Sequence, residues 1–74
     1  MNEPLIQTKA GPLYQNDEFW YHRERGVPKT GWLKARSADA LGRWVNGVDA
    51  NGRTRTIELP SIIRIRKPGK EPLR

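Results

Sequence analysis

Three tryptophans, Trp20, Trp32 and Trp44, are interleaved with cations that run to the end of the chain: Lys34, Arg36, Arg43, Arg53, Arg55, Arg64, Arg66 and Lys67. Rings and cations in this mixture suit nucleic acid. Aromatic faces hold unstacked bases at ~1–3 kcal/mol each, while cations track the phosphates and make binding salt-dependent. The competing reading is structural. In a small domain, tryptophans are the largest available core residues, burying ~150–250 Å² each, with arginine stems covering their edges. Trp32 shares strand parity with Lys34 and Arg36, so at least one ring is expected near the surface.

Other chemistries find less support. Tyr14, Phe19, Trp20, Tyr21, Trp32 and Trp44 could furnish an aromatic cage for a cation, but the surrounding arginines would repel such a ligand. His22 is the single histidine, and neither Ser37, Ser61 nor any carboxylate is spaced from it as a nucleophile arrangement requires, so no enzyme is expected. One histidine and scattered acids do not make a metal site, and no cofactor is implied. Gly26-Val27-Pro28-Lys29-Thr30-Gly31 has the lysine before its second glycine, the wrong order for a phosphate-cradling loop.

The chain has 74 residues, enough for one domain with one small core. It has no cysteine, which removes disulfides and thiolate chemistry and suits a reducing compartment. Fourteen Lys and Arg against eight Asp and Glu leave a formal charge of +6. The excess is uneven: residues 1–37 carry +2 and residues 38–74 carry +4. That favours polyanionic partners, although a charge kept for solubility would look similar. Without a secretion leader or an apolar run of membrane-spanning length, the expectation is a soluble cytoplasmic protein.

The elements that must position these side chains are best defined in the second half. Residues 43–59 contain two β-prone segments around Asp49-Ala50-Asn51-Gly52, a hairpin with an Asn-Gly turn. Trp44, Asn46 and Val48 share one face, with Val45 and Gly47 on the other. In the partner strand Arg53, Arg55, Ile57 and Leu59 share parity, which requires either a bulge or an arginine-bearing tip that projects into solvent, and the projecting tip is the reading preferred. After a break at Leu59-Pro60-Ser61, a short strand is expected to turn Ile63 and Ile65 inward and Arg64 and Arg66 outward. Upstream, Trp32–Arg36 alternates as a strand, and residues 37–42 form either one helical turn or a hairpin loop. Residues 16–25 send opposing signals. Asn16, Asp17, Glu18 and Gly26 resemble helix caps, whereas the ring run Phe19-Trp20-Tyr21-His22 suits a strand, which is preferred. Pro4, Gly11 and Pro12 mark residues 1–12 as a flexible arm whose Leu5 and Ile6 could reach the core edge, and residues 67–74 read as a disordered basic tail.

Taken from Gly31 onward, strand, connector, strand, Asn-Gly hairpin, strand, Leu-Pro-Ser break and final strand resemble the small five-stranded SH3-like barrels of Tudor, chromo and KOW type. The resemblance implies a mainly β domain over residues 13–66, with a one-turn 3₁₀ segment at residues 59–61 and the first strand drawn from residues 13–25. The expected function is a basic module that binds DNA or RNA through phosphates, with Trp32 or Trp44 as a stacking residue and little base specificity. Its face would comprise Lys34, Arg36 and Arg43 with the tip arginines Arg53 and Arg55 and the strand cations Arg64, Arg66 and Lys67. The alternative is a regulatory protein that docks on another protein through its aromatic face, as monomer or small homo-oligomer.

Overall fold

A computed structural model describes residues 3–26 and 29–67. The chain is mainly β, and its described residues form seven strands: β1 (Ile6–Thr8), β2 (Gly11–Leu13), β3 (Glu18–His22), β4 (Thr30–Ala38), β5 (Trp44–Val48), β6 (Thr54–Glu58) and β7 (Ile62–Arg66). One 3₁₀ turn, Leu59–Ser61, joins β6 to β7, as the Leu-Pro-Ser break predicts. The last five strands form one antiparallel sheet in the order β6-β5-β4-β3-β7. Strands β3 to β6 follow one another as a meander. The final strand then crosses back to pair with the first.

The aromatic run at residues 18–22 forms a strand because alternation disposes of its rings on two faces. Phe19 and Tyr21 are fully buried, while Trp20 stays half-buried on the opposite face. The cap-like residues before it serve a turn instead. Asn16 has φ 74°, Asp17 donates its N–H to the Tyr14 carbonyl, and the Asp17 carboxylate accepts the Tyr14 N–H at 3.0 Å.

Phe19 and Tyr21 join Leu13, Leu33, Ala35, Val45, Ile57 and Ile62 in the core. Each large member contributes ~1.5–3 kcal/mol through burial. None of the three tryptophans belongs to it. Gly47 explains part of the packing: a Cβ there would stand 2.8 Å from the Leu33 Cβ and 3.0 Å from the Phe19 ring, so only glycine lets the β5 backbone approach them.

Two expectations for the ends of the domain change. Residues 6–12, part of the segment read as an arm, join Leu13 in a β1–β2 hairpin, with Ile6 opposite Leu13 and the Thr8 hydroxyl donating to the Gly11 carbonyl at 2.8 Å. Leu13 is buried and Leu5 and Ile6 pack on the core, so apolar burial holds this segment in place. At β7, Ile62 rather than Ile63 enters the core. The β3–β7 register slips between Trp20 and Tyr21, skipping Ile63, which is left 41% exposed. Ile65 is partly buried as expected, and Arg64 and Arg66 face out. Lys67 is anchored by contacts described below, and the expected tail beyond it, residues 68–74, lies outside the described residues.

Residues 39–43 form a hairpin loop, the second of the two alternatives. Asp39 donates its N–H to the Trp44 carbonyl, and Gly42, at φ 75°, donates to the Asp39 carbonyl. The β5–β6 hairpin pairs without interruption from Trp44↔Glu58 to Val48↔Thr54. The bulge lies elsewhere, in β4 between Ala35 and Ser37, and leaves Arg36 unpaired with β5.

Candidate functional site

Cross-strand partners point to the same side of a sheet, so register places the outward residues in rows. One row runs Arg66, Glu18, Lys34, Val48, Thr54 across β7, β3, β4, β5 and β6; the next runs Arg64, Trp20, Trp32 across β7, β3 and β4. The outer face therefore gathers two tryptophans with Lys34, Arg64 and Arg66, and Arg36 projects, exposed, from the adjoining bulge.

The rings are tightly arranged. Trp20 and Trp32 meet edge to face, with centroids 5.5 Å apart and planes at 60°. The Arg66 guanidinium carbon lies 3.9 Å from the Trp32 ring centre, and its Nε donates to Glu18 Oε1 at 2.6 Å. Beside Trp32 opens a groove of about 480 Å³, bounded by Lys34, Arg36 and Arg66 and closed by Asp49 and Ala50 of the β5–β6 turn. Arg36 donates from Nη1 to the Asn16 side-chain oxygen at 3.1 Å. Among the described residues, no carboxylate forms an ion pair with Lys34, Arg36, Arg53 or Arg64.

The other expected site residues are disposed differently. Arg55 is half-buried, and its Nε pairs with Asp49 Oδ2 at 3.3 Å, so it braces the turn and is not part of a solvated tip. Arg53, which follows the turn, is exposed. Trp44 sits opposite Glu58 at the far end of β5. Arg43 covers the Trp44 ring at 4.5 Å and pairs with Asp39 at 2.8 Å, away from the Trp20–Trp32 pair in register. Lys67 caps the Tyr14 ring at 4.6 Å and donates to Asp17 at 3.1 Å. Trp20, one of the three candidate rings but outside the expected contact face, stands against Trp32, turned outward by its parity opposite the buried Phe19 and Tyr21.

The two turn carboxylates hold their charge strongly. Hydrogen bonds from the backbone N–H groups of Arg53 and Asn51, with Arg55 beyond them, keep Asp49 below the usual carboxylate range. Asp39 is lowered chiefly by the hydrogen bond from the Arg43 side chain, which in turn raises Arg43.

Three outward polar groups, Ser37 on β4, Asn46 on β5 and Thr56 on β6, are engaged with one another. The Asn46 amide donates to Ser37 Oγ at 3.1 Å, and its oxygen accepts the Thr56 hydroxyl at 2.8 Å. A separate groove of about 500 Å³ lies between Gly42, Trp44, Leu59 and Pro60. Among the described residues, the exposed large apolar side chains, Leu41 and Ile63, stand on different segments. Among the described residues no three acids or histidines are grouped to hold a metal ion, and no helix is long and apolar enough to cross a membrane. Comparison with known protein families, with curated proteins and with solved structures finds no match to this chain.

Proposed function

We propose that this chain is a small, non-catalytic nucleic-acid-binding module of SH3-like architecture, driven mainly by phosphate contacts and with little base specificity. One observation carries the reading: the Trp20–Trp32 pair lies on one sheet face with Lys34, Arg36, Arg64 and Arg66, and the two carboxylates that border the groove, Glu18 and Asp49, are each paired with an arginine. A basic face with rings set in it suits phosphates and bases, whereas a protein-docking face would present a broad apolar patch. The strand order, with the final strand returning beside the first after a 3₁₀ turn, supports the SH3-like assignment. The mutual satisfaction of Asn46, Ser37 and Thr56 supports weak base readout, since this outward amide and these hydroxyls are already engaged. The absence of cysteine is compatible with a cytoplasmic setting.

The test is fluorescence anisotropy of labelled DNA and RNA oligonucleotides at about 50 and 200 mM salt, a range over which phosphate-driven affinity falls steeply. Lys34→Gln with Arg64→Gln should weaken binding to every sequence and reduce the salt slope by about one unit per charge. No binding at the lower salt would overturn the reading. It would shift attention to a protein partner, with the mainly apolar groove between Trp44, Leu59 and Pro60 as the candidate surface.

A further inference from the structure

Resting on that reading, we infer that the ligand is single-stranded: a base seats beside Trp32 in the groove while its backbone runs over Lys34 and Arg36. Stacking requires a ring already in place, and Trp32 has its position fixed on two sides. The Arg66 guanidinium covers it at 3.9 Å and is itself tied to Glu18 at 2.6 Å, while Trp20 abuts it at 5.5 Å. A base entering the groove meets a stack already begun, because guanidinium planes and indole rings both accept bases. Little side-chain freedom is lost when a held ring is used, which strengthens binding.

Spacing agrees with this path. Trp32 and Lys34 stand two residues apart on one face, ~6.7 Å along the strand, so a base held at the ring leaves its own backbone within reach of the ammonium. Arg36 follows at the bulge, and the groove of about 480 Å³ continues from Trp32 past these cations to the Asp49–Ala50 turn. A duplex keeps its bases stacked and would offer this slot only phosphates. Entry into a duplex groove is poorly provided for: the described residues contain no α-helix, and the outward Asn46 and Thr56 of the β5–β6 ribbon are bonded to each other.

The experiment uses the full chain with a labelled twelve-nucleotide oligothymidine, its RNA counterpart and a duplex of equal length, read by anisotropy and by intrinsic tryptophan fluorescence. The expected result is single-strand affinity at least about tenfold above duplex affinity, accompanied by quenching, in line with one stacked base. Trp32→Leu should remove most of that preference; Trp32→Phe should restore part of it, and Trp44→Phe should leave quenching intact. Equal binding to single strand and duplex without quenching overturns the single-strand inference while the nucleic-acid reading survives. Binding to none of the three overturns both.

Discussion

The ammonium of Lys67 reaches the carboxylate of Asp17 at 3.1 Å, joining residues fifty positions apart at one edge of the β3–β7 pairing. The two partners are unlike in exposure: the Lys67 side chain is 57% exposed and that of Asp17 only 4%. Removing either therefore has different consequences.

Asp17→Ala takes away the acceptor for both Lys67 and the Tyr14 N–H. It should cost about 1–3 kcal/mol, the penalty for leaving a part-buried donor unsatisfied. Lys67→Met removes an exposed charge with its contacts to Tyr14 and Asp17, but Asp17 keeps its bond from the Tyr14 N–H, and the loss should be under about 1 kcal/mol. Urea denaturation of the two variants, with equal losses as the contrary result, checks the asymmetry.

Gly47→Ala would push a methyl group against Leu33 and Phe19 in the core. Neither neighbour is a flexible surface chain that can swing away, so a loss of about 1–3 kcal/mol is expected from overpacking. A thermal midpoint equal to that of the parent would mean that β5 lies farther from Phe19 than described.

The bulge in β7 separates two adjacent isoleucines. Ile62→Ala should cost about 2–5 kcal/mol, as for other buried aliphatic truncations, whereas Ile63→Ala should stay within about 0.5 kcal/mol, as for surface changes. The opposite ranking in chemical denaturation would restore the simple alternation expected from the sequence.

Acid should loosen the β5–β6 turn. Because Asp49 has a folded-state pKa below its unfolded value, the unfolded chain binds the proton more readily, and stability falls as pH drops below the ordinary aspartate range near about 4. The contribution is intact above that range and is lost as pH passes down through the folded-state value. Asp49→Asn should flatten the dependence of the denaturation midpoint between about pH 2 and 5. An unchanged slope would remove Asp49 as its source, leaving Asp39, which is shifted in the same direction.

Within the binding reading, Arg53 and Arg55 should separate. Arg55→Gln should leave oligonucleotide affinity within about twofold, since its guanidinium is engaged by Asp49, while Arg53→Gln should lower the salt slope by up to about one unit. Equal effects of the two in anisotropy titrations would return Arg55 to the contact surface.

Much of this architecture is legible in single residues and spacings. Asn51-Gly52 marks the hairpin turn, Leu33 and Ala35 alternate with Lys34 and Arg36, and Leu59-Pro60-Ser61 marks the 3₁₀ turn. These signals are local, and local chemistry decides them. What escaped depends on distant partners. β1 and β2 have three residues each, too few for a period to show, and their stability comes from Leu13 and its neighbours in the core. The slip that turns Ile63 outward exists only because β7 pairs with β3. Likewise, Arg53 and Arg55 share parity, and only the fold of the turn brings the Asp49 carboxylate to the guanidinium of one of them. For the candidate site, parity correctly grouped Trp32 with Lys34 and Arg36, but the company of Trp20, Arg64 and Arg66 follows from strand order.

That strand order also constrains the sequence of events during synthesis. β3 has β4 on one side, available within a short loop, but its other neighbour is β7, so that edge can be filled only after residue 66 has emerged. A nascent chain would hold the β3–β6 meander with Ile62 missing from its core, and closure would await a contact spanning more than forty residues. Such high contact order predicts folding that is slow for the domain's size and coupled to completion of β7.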